Sequence, residues 1–362
     1  MAGPGPFASV NDLGLKMLQL ACNKEIPTGG IIVSPASIGI ALAMLAGAAI
    51  PSESEKMCTA LGSDKPESLD ALYLSLKDCK DTTAAANAIF AKKGTKLDKE
   101  YASFLQQFAV LTNTEFPRLI DGLDTINTWI TNNTMGMIKD MIKRESVLQS
   151  HIVLVNALSY KGTWKEQFNP KDTTRKYPFQ VSESETRPVD MMFRLNEHIL
   201  VYEAKNYTAI QLPYQASSPA ASTSFMAYLP HPGTSVQQVL SSIPPLHGKN
   251  RFTSEKFDRF GFPKMETSSG MDILPLFRQI GFHIPGDFPK MGMGGNVVQS
   301  ILHNTAISLD EKGTRAAAST AVMMMRCIRT PKNLIFNRPF VFSIVIDSTG
   351  AALFTGVFSP ES

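Results

Sequence analysis

Glu311-Lys312-Gly313-Thr314-Arg315-Ala316-Ala317-Ala318-Ser319-Thr320-Ala321-Val322 is a run of small and β-branched residues with no aromatic side chain and no proline. It lies between a strand-like stretch, 304–309, and a C-terminal hairpin signal. Two conformations suit it. As an exposed loop it is open to proteases, and as a strand it would pack wherever a sheet made room. With the alternation set from Thr314, one face presents Thr314, Ala316, Ala318, Thr320, Val322 and Met324. The other presents Arg315, Ala317, Ser319, Ala321 and Met323, so the charge of Arg315 stays off the first face. An alanine-rich helix is the competing conformation, weakened by Gly313 and by Ser319-Thr320.

The rest of the chain gives this segment a globular setting. With 362 residues, 43% hydrophobic and 19% charged, there is ample apolar mass for a core. The first two fifths read mainly as helices, from Val10, Leu13, Met17, Leu20 and Ala21 and again from Leu123, Ile126 and Ile130. Ser34-Pro35 is a helix start, Ser as N-cap and Pro at the first helical position, and the segment after it is apolar on every face, which makes that helix central. From Ile152 the texture changes to short β-branched and aromatic runs: Ile152–Tyr160, 208–212, 224–229, Phe340–Ile346 and 351–358. The last two flank Asp347-Ser348-Thr349-Gly350, a hairpin turn. No internal repeat and no linker splits the sequence, so it reads as one α+β domain over 1–362.

Several functions are disfavoured by composition. A net charge of +3 without clustered basic residues gives no reason to expect a nucleic acid or an anionic membrane as partner. The longest apolar stretch, 38–50, falls short of the about 20 residues a bilayer-spanning helix needs. Without a charged, apolar leader at Met1, the expected address is the cytoplasm, with non-classical secretion as the other route. Cys22, Cys58, Cys79 and Cys327 are widely spaced, which suits free thiols and encodes neither a zinc site nor a disulfide framework. The six histidines are scattered, with no H-E-x-x-H and no G-x-S-x-G, so neither a metal nor a cofactor is expected and the chain does not read as an enzyme. Gly292-Met293-Gly294-Gly295 lacks the Lys-Ser/Thr of a phosphate loop. Lys92, Lys93, Lys96 and Lys99 are interleaved with Leu97, Asp98 and Glu100 as on an ordinary solvated surface.

The segment at 311–321 also matches a hinge pattern, E-x-G-T-x-A-A-A-x-T-A, and Phe336-Asn337-Arg338-Pro339-Phe340 matches F-N-x-P-F. Together with Val33-Ser34-Pro35-Ala36-Ser37-Ile38, Val155-Asn156-Ala157, Lys161-Gly162-Thr163-Trp164, Gln211-Leu212-Pro213-Tyr214, Phe262-Pro263-Lys264 and Phe354-Thr355-Gly356-Val357, the chain resembles the serpin family over nearly its whole length. The resemblance implies three β-sheets, eight or nine helices and an exposed reactive-centre loop at about 311–335 on a metastable, kinetically stable fold. The implied activity is suicide inhibition of a serine protease, the cut loop inserting into the main sheet. A non-inhibitory serpin acting as chaperone, carrier or storage protein is the alternative, disfavoured because 314–319 holds no proline and no bulky residue apart from Arg315.

Residue by residue, the resemblance places Glu311, Gly313, Thr314, Ala316, Ala317 and Ala318 in the hinge. It places Ser34, Ser37, Asn156 and His303 in a polar shutter beneath the opening sheet, and Lys264, Trp164 and Glu311 at the breach above it. Arg315 departs from the pattern, which usually has Glu there. Counting forward from Gly313 puts the scissile residue at Cys327, whereas counting back from Pro339, as in intracellular ovalbumin-type serpins, puts the cut at Arg326-Cys327, the assignment favoured here. An exposed Arg suits the aspartate-bottomed pocket of a trypsin-like protease. Cleavage at a neighbouring Met or at Cys327 would suit chymotrypsin-like, cathepsin-like or elastase-like enzymes. A monomer is expected.

Overall fold

The computed structural model describes residues 7–23, 25–108, 111–113, 115–148, 152–243, 252–285, 288–291, 301–311 and 331–361. Among them are nine α-helices: α1 Ala8–Ala21, α2 Pro35–Ala48, α3 Pro51–Ala60, α4 Asp70–Asp78, α5 Lys99–Gln107, α6 Leu123–Asn133, α7 Arg144–Val147, α8 Val236–Ser242 and α9 Leu274–Gln279. The strands are β1 Ile31–Val33, β2 Thr83–Ala91, β3 Leu111–Asn113, β4 Ile152–Tyr160, β5 Thr174–Gln180, β6 Thr186–Glu203, β7 Tyr207–Pro213, β8 Thr223–Pro230, β9 Thr253–Pro263, β10 Met265–Asp272, β11 Leu302–Leu309, β12 Asn333–Ile335, β13 Phe340–Ile346 and β14 Ala352–Phe358.

They form two hydrogen-bonded networks. One is a five-stranded sheet in the order β10-β11-β4-β2-β3, and the other has nine strands, β1-β14-β13-β8-β7-β6-β9-β12 with β5 also on β6. The second network is two sheets joined through the 18-residue β6. β5 pairs only with its first part, up to Met191, and β7 only with its last, Leu200 to Glu203. Three sheets are therefore present, two of them sharing a strand.

Helix α2 lies between the sheets, packed on both β4 and β14. Every residue of it but Gly47 is buried, as its all-round apolar sequence requires. The Ser34 hydroxyl caps it, accepting from the Ser37 amide at 3.1 Å. The C-terminal hairpin closes as its sequence suggests. Gly350 supplies the left-handed turn residue at φ +72°, and both flanking strands are buried along their whole lengths.

One early segment departs from the helical expectation. Thr83-Ala84-Ala85-Ala86-Asn87-Ala88-Ile89-Phe90-Ala91 has the residues of a helix, yet forms β2, in register with all of β4 from Thr83 opposite Tyr160 to Ala91 opposite Ile152. Helix α6 packs on this strand and most of its residues are buried, and that tertiary setting overrides alanine's helical preference.

Candidate functional site: a polar seam beneath a parallel strand pair

Within the five-stranded sheet, β11 runs parallel to β4, Leu302–Ile307 opposite Val155–Tyr160 in unbroken register. His303 and Asn156 are direct partners in that register, and Asn156 is also the partner of Asn87 on β2. Three strands thus set three polar side chains side by side. The capped end of α2 lies beneath them.

The four residues assigned to the shutter meet here, all buried. Ser37 Oγ donates to Asn156 Oδ1 at 2.7 Å, and Asn156 Nδ2 donates to the Ser37 carbonyl at 2.9 Å and to Asn87 Oδ1 at 3.0 Å. The Ser34 amide donates to His303 Nε2 at 3.0 Å, so the imidazole proton sits on Nδ1, 3.0 Å from Asn156 Oδ1. Asn87 and Thr305 belong to the same seam, though neither lies in a motif that the sequence resemblance singles out. Thr305 Oγ1 donates to the Ile32 carbonyl at 3.1 Å and so ties β11 to β1 in the other network. An asparagine alone in an alanine run was the sequence signal for Asn87.

Burial pushes the His303 imidazole down from near 6.5 to about 3. A folded pKa below the unfolded one means that the unfolded chain binds more protons through that interval. The stability held by neutral His303 is therefore complete above about pH 6.5 and falls as pH drops toward 3, by up to about 1.4 kcal/mol per pH unit. We expect urea midpoints to decline from pH 7 to pH 5, and His303→Gln to flatten that decline. Parallel curves for the two proteins would show that another group titrates.

At the upper end of β11 a second cluster forms. Trp164 Nε1 donates to the Asp310 carbonyl at 2.9 Å, and the Phe168 amide donates to the Glu311 carbonyl at 3.1 Å. The segment after β4 thereby clasps the last described residues before 312. Trp164 is fixed by stacking on Tyr214, centroids 4.5 Å apart, and by edge contacts with Phe168 and Phe225. Lys264 Nζ meets Glu311 Oε1 at 2.9 Å, and Thr173 Oγ1 donates to the same oxygen at 2.6 Å. Burial works to raise the Glu311 carboxyl, but the hydrogen bonds from Thr173 and Lys264 outweigh it and hold the pKa below its ordinary value.

The three residues that the resemblance places at the breach are thus gathered around 310–311, and Thr173 joins them. Glu311→Ala is expected to cost about 1–2 kcal/mol, since it orphans the Thr173 hydroxyl and leaves Lys264 to solvent. A denaturant midpoint equal to wild type would show that the pair holds nothing. The residues expected in the hinge, Gly313, Thr314, Ala316, Ala317 and Ala318, and the expected scissile bond between Arg326 and Cys327, lie outside the described residues. Cys22, Cys58 and Cys79 are buried and free, and no helix among the described residues is long and apolar enough to cross a membrane.

Fold and clusters together define an α+β protein with a buried polar seam under a parallel strand pair and an ion pair at its upper end. A family model described as Serpin (serine protease inhibitor) matches residues 8–360. The chain belongs to the serpin family. It is 29% identical to Serpin B6 of Bos taurus over 91% of this chain and 92% of that protein. It is 28% identical to the leukocyte elastase inhibitor of Equus caballus over 94% and 95%. The structure of an Arabidopsis serpin in its native stressed conformation superposes with a TM-score of 0.82 at 20% identity, covering 97% of this chain and 96% of that one, a likeness of fold.

Proposed function

We propose that this serpin is a suicide-substrate inhibitor of serine proteases, a single domain over 1–362 with its reactive-centre loop at about 311–335. The protease serine attacks the carbonyl carbon of the scissile residue, the peptide bond breaks, and the new amine leaves on the C-terminal side of the loop. The N-terminal side stays joined to the serine as an ester. Before water resolves that ester, the freed strand enters the sheet between β4 and β11 and carries the protease with it. About 13 residues at roughly 3.3 Å each give a displacement of some tens of ångströms. Distortion of an oxyanion hole, worth about 10²–10³ in rate per donor, then strands the acyl-enzyme.

The observation that supports this reading is the parallel β4·β11 pair, with β11 leading directly to Glu311. A chain that turns back after 311 runs antiparallel to β11, and it would also run antiparallel to β4. One parallel ladder would be exchanged for two antiparallel ones, the better-paired arrangement. Ser34, Ser37, Asn156 and His303 would then serve as the shutter that holds the pair closed, and Trp164, Lys264 and Glu311 as the breach that opens first. The hinge of Gly313, Thr314, Ala316, Ala317 and Ala318 has side chains small enough to enter.

For the target we favour a trypsin-like serine protease cutting after Arg326. Incubation with trypsin should leave a complex that survives boiling in detergent, and a gel showing only cleaved inhibitor would overturn the reading. Arg326→Ala should slow trapping of trypsin by roughly 30- to several-thousand-fold, the cost of leaving the protease's pocket carboxylate unpaired at about 2–5 kcal/mol. The C-terminal peptide released from the complex should begin at Cys327. A peptide beginning at Ile328 would move the scissile residue to Cys327 and the target toward elastase-like or cathepsin-like enzymes.

A further inference from the structure

Where α2 ends, a groove of about 470 Å³ opens between the start of α3, the turn at 64–67 and the first turns of α5. That is the size of a small-molecule site. Buried residues floor it: Ala46 and Ala49 at the end of α2, the Pro66 ring, and Tyr101 and Phe104 of α5, whose rings stack with centroids 6.1 Å apart. Gly47 presents bare backbone beside them, so near the Phe104 ring that a Cβ would come within 2.4 Å of it. Four exposed carboxylates line the rim: Glu55, Asp64, Glu67 and Glu100. Asp64 accepts from Ser68 Oγ at 2.6 Å, whereas the carboxylates of Glu55, Glu67 and Glu100 have no hydrogen bond or ion pair among the described residues. Lys65 and Lys290 also line the groove, but neither pairs with any of the four, so the lining keeps a negative excess.

The end of α2 deepens that field. Its last carbonyls have no partner within the helix, its last turn carries no basic residue, and its dipole sets partial negative charge there. The helices that start nearby offer few free donors against it. Pro51 of α3 has no N–H, the Glu53 and Ser54 amides turn back on the Ile50 carbonyl, and Asp98 takes the Glu100 and Tyr101 amides of α5. The three free carboxylates stand on three separate segments, α3, the turn at 66–69 and α5, and no group of acidic residues among the described ones converges to hold a metal ion. Dispersed negative charge over an apolar floor suits cationic groups joined by hydrocarbon. We propose that this groove binds a linear polyamine, its methylene segments on Ala46, Gly47 and Phe104 and its ammonium groups against Glu55, Glu67 and Glu100. An occupant ties α3, the 66–69 turn and α5 to the end of the central helix, and so stabilises the folded chain by mass action. The chain as a whole carries a net charge of +3, which gives a polycation no reason to gather elsewhere on it.

The test is calorimetric titration of the full chain with spermine in about 0.15 M salt, with magnesium ion as the control for charge alone and hexanediol for hydrocarbon alone. Spermine should bind saturably with a Kd at or below about 1 mM, and both controls at least roughly tenfold more weakly. Glu55→Gln/Glu67→Gln/Glu100→Gln, which alters only exposed and unpaired side chains, should weaken spermine by a similar factor. Glu25→Gln/Glu145→Gln/Glu266→Gln, at exposed carboxylates that do not line the groove, should leave its affinity within about twofold. Saturating spermine should also raise the unfolding temperature of wild type and of this second variant, and not that of the first. No saturable binding up to about 10 mM, magnesium or hexanediol binding as tightly as spermine, or an equal effect of the two triple variants overturns the site. None of these readouts involves a protease, so they stand or fall apart from the inhibitor reading.

Discussion

Cleavage at a single site within 313–327 is expected to raise the temperature at which this protein unfolds, by on the order of 10 °C or more. Nicking an exposed loop ordinarily does the opposite, since it frees the unfolded chain from a constraint. Here the N-terminal side of the cut remains attached to β11 through Glu311, and the sheet position it would fill lies between two strands already present. The exchange can be counted. Six residue pairs of β4·β11 part, and an inserted strand of about 13 residues pairs on both of its edges. A net gain on the order of ten ladder hydrogen bonds, at about 0.5–1.5 kcal/mol each, amounts to roughly 5–15 kcal/mol before side-chain packing is added. The face made of Thr314, Ala316, Ala318, Thr320 and Val322 has the size and polarity to be buried without an unpaired charge. Scanning calorimetry of intact and nicked protein decides the matter. A nicked form that melts at or below the intact one would remove insertion from the mechanism and favour the non-inhibitory alternative.

Much of this architecture is written locally in the chain. Ser34-Pro35 marks the start of α2 because capping is a matter of three consecutive residues. The β13–β14 hairpin is legible for the same reason, its turn residues lying beside the strands they join. β4 reads correctly because Ile, Val, Leu and Tyr recur there without helical spacing. β2 does not, since an alanine run satisfies a helix as well as a strand and only the neighbours on both faces decide. The clusters are harder still. Nothing along the chain sets Lys264 beside Glu311 or Ser37 beside Asn156, because each contact joins distant segments, the first through the β10·β11 register and the second through the seating of α2 on β4. Resemblance to a family singles out these residues, whereas Asn87, Thr173 and Thr305 lie outside its motifs and take their places only through the tertiary arrangement.

Removal of Asn156 should be the most damaging single truncation in the seam. Its side chain is fully buried and makes four hydrogen bonds: Oδ1 accepts from Ser37 Oγ and His303 Nδ1, and Nδ2 donates to the Ser37 carbonyl and Asn87 Oδ1. Asn156→Ala leaves all four partners in a buried space, and at about 1–3 kcal/mol for each orphaned group the expected loss is at least about 4 kcal/mol. Asn156→Asp keeps the acceptor for Ser37 and His303 but turns a second oxygen toward two acceptors, so it should not rescue. The damage should be directional as well as large. Asn156 and His303 are the cross-strand pair that binds β4 to β11, and with their contact gone the two strands part more readily, exposing two unpaired edges that can pair with another chain. Gentle warming should therefore convert Asn156→Ala from monomer to larger species at temperatures where wild type is unchanged, as read by size-exclusion chromatography. If the variant unfolds within about 1 kcal/mol of wild type and stays monomeric, the seam does not hold the pair closed, and the energetic role assigned to it is wrong.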